Sequence, residues 1–328
     1  MPDSKASGQE LISVIIVNRN RKELLKQCLD SIHNQSYKNL EIIVVDNASS
    51  DGSVEMVKEN FPDVKIITSN RNLYFCEGYN LGISQANGKY ILCLNNDVVL
   101  ESDFLFHSIK GFEINNKIGM VSGKIINPTT DTIDSTGQFL SWFRKAIERG
   151  YRKNSSNNWP RDYIWGCPGA CVVYKKKMLE DIKLDKNEYF DSNYRAYLED
   201  FDLNWRANRL GWRAYYTPEA VAYHYRGKTG WVNRYSFGYL NLPPEFKIQF
   251  IRNRYATILK NEKLTSFITH LPFILAYDIY LWFFLFITDC RYIIKFLKDW
   301  NWIKQAITKR KVIVGKIKEY RNGKTYYS

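Results

Sequence analysis

Two hydrophobic periods alternate between residues 11 and 97, and few folds accommodate that alternation. LISVIIV (11–17) is a short apolar run rich in β-branched side chains, which fits a strand buried on both faces. Residues 22–34 then place Leu24, Leu25, Cys28, Leu29 and Ile32 at helical spacing. EIIVVD (41–46), a NASSDGS turn, a short helix from about 53 and the strand KIIT (65–68) continue the series. Residues 76–87 read as a helix stopped by Gly88, and KYILCLNND (89–97) as a fourth strand ending in polar residues. This spacing predicts an α/β fold built on a parallel, doubly wound sheet. Further on the pattern loosens. Strands are predicted near 120–126, 170–174 and 219–224, and a helix from Asp200 to Leu210 ended by Gly211.

Sheets of this kind bind ligands beyond the carboxyl ends of their strands. The four tips here read Asn18-Arg19-Asn20, Asp46-Asn47, Ser69-Asn70-Arg71-Asn72 and Asn95-Asn96-Asp97. Four polar tips together favour a polar ligand of nucleotide size. No GxGxxG follows the first strand and no GxxxxGK[ST] occurs, which argues against a dinucleotide fold and a P-loop. Asp97 offers a carboxylate to a hard divalent cation that bridges diphosphate oxygens, although a strand-end turn alone accounts for Asn and Asp there. His224, at the end of AVAYH, reads as a structural histidine unless the fold brings it to Asp97.

RAYLEDFDLNWR (195–206) crowds Glu199, Asp200 and Asp202 at a helix start. Acids there offset the helix dipole, and Asp202 pairs with Arg206 at i,i+4. That structural account leaves Tyr194, Tyr197 and Leu198 unexplained. Apolar neighbours raise the proton affinity of a carboxylate and suit it to general-base work. Adjacent residues on a helix point about 100° apart, so Glu199 and Asp200 should have different tasks.

Charge matters at the carboxyl end. Residues 291–328 carry eleven Lys/Arg against two acids, most of the chain's net +13. FITHLPFILAYDIYLWFFLFIT (267–288) is strongly apolar, interrupted by Pro272 and Asp278. The stretch 289–304 is amphipathic, with Arg291, Lys295 and Lys298 on one side and Ile293, Ile294, Phe296, Leu297 and Trp300 supplying apolar area. The pattern predicts a monotopic arm on an anionic membrane surface, with a spanning helix or a soluble packing helix as alternatives. The opening MPDSKASGQE has no apolar core of signal-peptide length and reads as a frayed leader (1–10). Six cysteines without a CxxC pair fit a reduced cytosolic compartment, with Cys28 and Cys93 as buried thiols.

Taken in order, SVIIVNRN, EIIVVDNASSDGS, NLYFCEGYNLGI, LCLNND, WGCPGA, YLEDFDLNWR and AVAYH resemble the family 2 inverting glycosyltransferases of the GT-A fold. The rhamnosyltransferase-like branch is the nearest in pattern, and the similarity runs over about 11–260, including IRNRYATILKN (251–261). The resemblance implies a nucleotide-sugar half (11–125), an acceptor-binding and catalytic half (126–262) and membrane-associating helices (263–328). It assigns Asn18, Asn20, Asp46, Asn72, Asn80 and Asn96 to the donor, and Trp165, Gly169 and Glu199 to the acceptor. Asp200 becomes the catalytic base, while Asp97 and His224 hold Mn2+ or Mg2+. Asn95 stands where the family has the first acid of its DxD motif, which removes one charge from the metal site. The implied activity moves a sugar from dTDP-rhamnose or a UDP-sugar to a glycan or lipid-linked saccharide on the cytoplasmic face of the cell membrane. A sugar nucleotidyltransferase and a non-catalytic membrane-bound sugar-binding protein are the competing readings. The first would carry a glycine-rich basic loop after strand one, and VNRNRKE has no glycine. Nucleic-acid binding through the basic tail is a lesser alternative.

Overall fold

The computed structural model describes residues 9–226, Leu242 and 244–321. Most of the expected leader and residues 322–328 of the basic tail lie outside the described residues. The amino-terminal pattern folds as read: β1 (Ile12–Asn18), α1 (Lys22–His33), β2 (Leu40–Asn47), α2 (Ser53–Asn60), β3 (Lys65–Ser69), α3 (Tyr74–Ser84) and β4 (Tyr90–Asn95). β1 pairs in parallel with β2 and β4, and β2 with β3. Its two faces are both buried. Val14 and Ile16 pack with Leu25, Cys28, Leu29 and Ile32 of α1, while Ile15 packs with Tyr79 and Ile83 of α3. Such double burial is why the run is apolar throughout rather than alternating.

One stop signal is corrected. α3 ends at Ser84, and Gly88 lies beyond it. The Gly88 N–H is donated to Ser13 Oγ at 2.7 Å, and a Cβ there would stand 2.6 Å from the Ser13 nitrogen. The glycine serves a close approach to β1 and not a helix cap.

The chain continues with β5 (Val98–Leu100), α4 (Phe104–Glu113), β6 (Ile118–Asn127), β7 (Thr132–Ser135), β8 (Gln138–Leu140), β9 (Ala146–Glu148), β10 (Asp162–Ile164), β11 (Cys171–Lys175), α5 (Lys176–Ile182), α6 (Glu199–Arg209) and β12 (Arg213–His224). One sheet runs in the order β10-β12-β6-β11-β4-β1-β2-β3, with β5 paired to β12 and β7 to β6. β11 is antiparallel to both its neighbours, β4 and β6. The expected division between residues 125 and 126 falls inside β6, so the two halves share a continuous sheet.

Four helices follow: α7 (Pro244–Asn261), α8 (Leu264–Asp289), α9 (Arg291–Lys298) and α10 (Asn301–Arg321). The amphipathic stretch expected as one unit over 289–304 is broken, because Asp299 adopts an extended conformation (φ −104°, ψ 95°). Its carboxylate accepts the Asn301 N–H at 3.2 Å and a bond from Arg252 at 2.7 Å, which starts α10 in a new direction toward α7 and α5.

Behind α6 lies a buried ionic network. Asp202 and Arg206 are both fully buried and 3.0 Å apart. Lys260 of α7 reaches Asp202 at 2.9 Å and also pairs with Asp191. Lys309 of α10 contacts Asp191 at 2.5 Å and Glu188 at 2.7 Å. Arg206 further donates to the carbonyls of Ile182 and Tyr189, both at 2.7 Å. Three cations and three carboxylates therefore join α6, α7, α10 and the 188–191 loop. Burial would raise the proton affinity of Asp191, but the two ammonium groups overcome it and hold the carboxyl well below its usual range.

Removing one member leaves buried charge without its partner, which costs roughly 3–5 kcal/mol. Asp202→Ala is expected to lower the stability measured by denaturant unfolding by about that amount. Lys26→Ala, which breaks an exposed i,i+4 pair with Asp30, should cost less than about 1 kcal/mol. Equal losses for the two variants would show that the network does not hold the helices together.

Candidate active site

The carboxyl ends of β1, β2 and β4 converge. Asn96 Nδ2 donates to Asn18 Oδ1 at 2.7 Å, and Asn18 Nδ2 approaches Asp46 Oδ1 at 3.5 Å and Ser49 Oγ at 3.3 Å. Asp46 accepts the Ser49 N–H at 2.9 Å, and both Asn18 and Asp46 are buried. Asn20 takes a left-handed conformation (φ 51°), which asparagine tolerates, and its Oδ1 accepts the Ser50 N–H at 2.8 Å. Beside these residues opens a cleft of about 290 Å³ lined by Asn18, Arg19, Tyr74, Tyr79, Asn96 and Asp97, among others. A larger cavity of about 780 Å³, walled by Lys117, Lys175 and Lys316, lies apart from the strand tips. None of the candidate residues converge there, so volume does not decide the site.

Two residues expected on the donor side do other work. Asn72 accepts the Tyr74 N–H at 2.9 Å where α3 begins. Asn80 is buried and fully engaged. Its oxygen accepts the N–H groups of Tyr189 (3.0 Å) and Phe190 (2.8 Å), and its nitrogen donates to the Phe190 carbonyl (2.8 Å) and Ser192 Oγ (3.2 Å). It ties α3 to the loop that carries Asp191 and has no hydrogen-bonding capacity left for a ligand.

The fold brings His224 to Asp97. His224 Nε2 lies 3.2 Å from Asp97 Oδ1, and His224 Nδ1 lies 2.7 Å from Asp134 Oδ2. Arg226 in turn donates to Asp134 Oδ1 at 2.7 Å. Burial would push the imidazole down, but hydrogen bonds and charge from Asp134 and Asp97 outweigh it and raise the pKa to about 9. Carboxylate oxygen and imidazole nitrogen suit a divalent cation, and two protein ligands leave positions for diphosphate oxygens and water. Asp134 would then take the orienting part common behind metal-bound histidines. Among the described residues, no group of three or more His, Cys, Asp or Glu side chains is arranged to hold a metal alone. The donor set therefore fits a cation shared with a ligand.

The residues expected to face the acceptor gather at the start of α6. Tyr197 and Leu198 are both left-handed (φ 69° and 67°), a conformation costing roughly 1–3 kcal/mol per non-glycine residue. Asn253 of α7 pins this turn by donating to the carbonyls of Ala196 and Tyr197 at 2.9 and 2.8 Å. The turn presents Asp200, whose Oδ2 accepts the Gly169 N–H at 2.9 Å and Gln138 Nε2 at 2.8 Å. Burial raises the proton affinity of Asp200, and those donors offset only part of the rise. A Cβ on Gly169 would stand 3.1 Å from Asp200 Cβ, so the glycine permits this close approach. The neighbouring Glu199 is also raised, by burial and then by Asp200, and its Oε2 is buried without a hydrogen-bond partner. The Trp165 ring packs on Phe201 and Trp205 with centroids 5.0 and 6.1 Å away, bracing the same helix.

Sequence reasoning missed Asp134, Gln138 and Glu148. Glu148 accepts from Gln138 Nε2 at 2.8 Å and is hydrogen-bonded to Ser135 Oγ. Burial first, then the nearby Asp200 charge, raises its pKa to about 8. No local pattern marks these residues, because the short strands that carry them meet only through tertiary pairing.

Short links join the two sides. Asn95 N–H donates to the Ala170 carbonyl at 2.9 Å, one residue from the Gly169 N–H that holds Asp200. Asp134 bonds His224 while its neighbour Ser135 bonds Glu148. The site thus sets the tip of the fourth strand of a mixed sheet opposite a carboxylate at the start of α6.

The family described as Glycosyl transferase family 2 matches residues 13–183, more than half of the chain, and the chain belongs to it. The poly-beta-1,6-N-acetyl-D-glucosamine synthase of Staphylococcus epidermidis is 28% identical over 217 residues, covering 65% of this chain and 50% of that protein. The synthase of that name from Staphylococcus aureus (strain COL) is 25% identical over 225 residues, covering 68% and 52%. The chain thus spans about half the length of these relatives. Among solved structures, a Pyrobaculum calidifontis mannosyltransferase in complex with GDP-Man and Mn2+ superposes with a TM-score of 0.54 at 15% identity, covering 98% of this chain and 89% of that one. TarS of S. aureus superposes with a TM-score of 0.57 at 15% identity, covering 82% and 43%. These structural likenesses establish the GT-A fold.

Proposed function

We propose that the protein transfers a sugar, with inversion, from a nucleotide-diphospho-sugar to a hydroxyl of a glycan or lipid-linked saccharide in cell-surface polysaccharide assembly. The observation that carries the reading is Asp200, a carboxylate held by the N–H of Gly169, whose neighbour Ala170 accepts the Asn95 N–H at the wall of the polar cleft. Asp46, Asn18, Asn20 and Asn96 supply the hydrogen-bonding walls for the nucleotide. Asp97 and His224 would hold a divalent cation, which would supply positive charge toward the leaving diphosphate. Asp200 takes the proton of the acceptor hydroxyl as its oxygen attacks the anomeric carbon from the side opposite the diphosphate. Glu199 hydrogen-bonds further acceptor hydroxyls, and Trp165 and Gly169 shape that side. The names of the relatives support the polysaccharide role. The sequence resemblance favours dTDP-rhamnose or a UDP-sugar as donor.

Attachment to the cytoplasmic face of the membrane is the second part of the reading. Within Leu264–Thr288 an 18-residue window reaches a mean hydropathy of 1.8, and Ile279, Phe283 and Phe286 are exposed. Trp142, 63% exposed at the β8–β9 turn, packs edge-on against Phe273 and extends the same apolar surface. Asp278, midway along α8, is buried against Arg254 of α7 at 2.7 Å. A spanning pose would take that ion pair and α7 into lipid, so an in-plane pose is favoured.

General-base catalysis is worth roughly 10²–10⁴-fold, so Asp200→Asn should cut nucleoside diphosphate release by at least about a hundredfold. Donor binding by calorimetry should persist, and Glu199→Gln should mainly raise the acceptor KM. Turnover of Asp200→Asn near the wild-type rate would place the base elsewhere.

Cation affinity should depend on His224. Its Nε2 must lose a proton to face a cation, and with a pKa of about 9 it is protonated at pH 7. Mn2+ affinity measured by calorimetry with nucleoside diphosphate present should rise from pH 7 toward 9 and flatten above. His224→Gln should weaken binding and abolish that slope. Affinity of the wild-type protein independent of pH over this range would remove His224 from the cation site.

The full chain should co-sediment with vesicles containing phosphatidylglycerol and be released by alkaline carbonate. Replacing Ile279, Phe283 and Phe286 with Asp should leave it in the supernatant. Recovery of the unaltered chain in the supernatant would refute membrane attachment, and resistance to carbonate would indicate a spanning helix.

A further inference from the structure

Glu148 is a half-buried carboxyl beside the catalytic helix that the proposed reaction does not use. We propose that it is a positioning residue for the base: through the amide of Gln138, it selects which oxygen of Asp200 is left to receive the acceptor's proton. The proposal rests on the reading of Asp200 as the base.

Gln138 is fixed at both ends. Its backbone pairs with the 165–166 segment, donating to the Gly166 carbonyl at 2.8 Å and accepting the Trp165 N–H at 3.2 Å. Its side-chain oxygen accepts Asn204 Nδ2 at 2.9 Å. Its nitrogen has two hydrogens, one for Glu148 Oε1 and one for Asp200 Oδ2, each at 2.8 Å. Turning the amide over would set its oxygen against two carboxyl groups and its NH2 against the NH2 of Asn204. Glu148 thus supplies one of the three contacts that decide the amide's orientation.

That orientation matters at Asp200. An ionised carboxylate oxygen has two lone-pair sites. Oδ2 fills both, with Gly169 N–H and Gln138 Nε2. Oδ1 accepts the Phe201 N–H at 2.7 Å, is reached by neither Gly169 nor Gln138, and becomes the oxygen that takes the proton. Losing Gln138 as a donor would reopen Oδ2 and remove the distinction.

Glu148 can sit this close to a carboxylate because it keeps its own proton. Asp200 and Asp134 face it with negative charge, Arg226 with positive, and Ser135 Oγ and Cys167 are its neutral neighbours. As an acid it presents a carbonyl oxygen to Gln138 without adding a second negative charge beside the base. A glutamine at 148 presents the same oxygen; a leucine does not.

The test compares Glu148→Leu, Glu148→Gln, Gln138→Leu and the Glu148→Leu/Gln138→Leu double variant of the full chain. The measurements are kcat, acceptor KM and donor Kd. Misplacing a catalytic group can cost on the order of a hundredfold, so Glu148→Leu should lower kcat roughly 10- to 100-fold. Donor Kd should stay within about twofold, and Glu148→Gln should recover most of the loss. Because Glu148 acts through Gln138, the double variant should lose no more kcat than the worse single one. The neutral acid has a thermal signature as well. With a folded pKa of about 8 against an ordinary 4.5, the wild-type protein loses stability relative to Glu148→Gln as pH rises between those values. The Tm of Glu148→Gln should therefore exceed the wild-type value at pH 8 and not at pH 4. The proposal is overturned if Glu148→Leu keeps kcat within about twofold, if the Leu losses multiply in the double variant, or if Glu148→Gln is as inactive as Asp200→Asn. Gln138→Leu keeps the test open should Glu148→Leu fail to fold. An active Asp200→Asn would instead sink the base assignment, a result separate from these.

Discussion

The placement of α6 depends on the buried charges behind it. Asp200 and Asp202 are two residues apart, about 200° around a helix, so they face opposite ways. The front carboxyl meets Gly169 and Gln138, and the rear one meets Arg206, Lys260 and Asn261. A buried ion network is weak evidence for stability in itself, because desolvation offsets much of the attraction. Its value here is directional. A helix that rotated or slid would part Asp202 from Lys260 and Asn261, and Arg206 from the carbonyls of Ile182 and Tyr189. α7 contributes twice, with Lys260 and Asn261 behind the helix and Asn253 holding the left-handed turn in front. The IRNRYATILKN segment is thereby explained as the brace of α6.

The four parallel strands were legible because β-branched runs buried on both faces leave a signal that needs no partner. α6 was legible for the same local reason: acids at its start and Gly211, at φ 85°, past its end. The tip residues Asn18, Asp46, Asn96 and Asp97 could be read as a group, since parallel strands in one sheet must end on one side. His224 was readable only as a conditional, because its approach to Asp97 depends on β12 pairing with β5 and β6. The strands β8, β9 and β10 have three residues each, too few to show a period of two. Gln138 and Glu148 sit on such strands, so nothing nearby in sequence marked them. Asn80 illustrates the opposite failure. Its motif was visible, but all its hydrogen bonds are spent within the protein, on a loop more than a hundred residues away.

The links between the two sides of the site are short for a chemical reason. In an in-line displacement the base and the leaving group act on opposite sides of one carbon, so their separation tolerates little variation. Successive Cα atoms are about 3.8 Å apart. When residues 169 and 170 touch the base and the fourth-strand tip respectively, and residues 134 and 135 touch His224 and Glu148, the spacing is set by peptide geometry rather than by long side chains. β11 and β7 deliver those pairs, and each is anchored in the main sheet. The antiparallel insertion that interrupts the doubly wound pattern is thus what couples the strand tips of the proposed nucleotide site to the carboxyl proposed as base.

The crowding of acids in a chain of net charge +13 follows from how each one is accommodated. Asp202 is neutralised by cations and becomes structural. Asp200 is held by N–H donors, which stabilise its charge without cancelling it, so a usable base survives burial. Glu148 keeps its proton and serves as an uncharged hydrogen-bonding group. Glu199 has neither cation nor donor at Oε2, the unfinished arrangement expected of a group whose partner is a ligand. Four carboxyls within one small region would be intolerable as four charges. Cations offset Asp202 and a retained proton neutralises Glu148, which leaves Asp200 as the carboxylate that the proposed chemistry uses as a base.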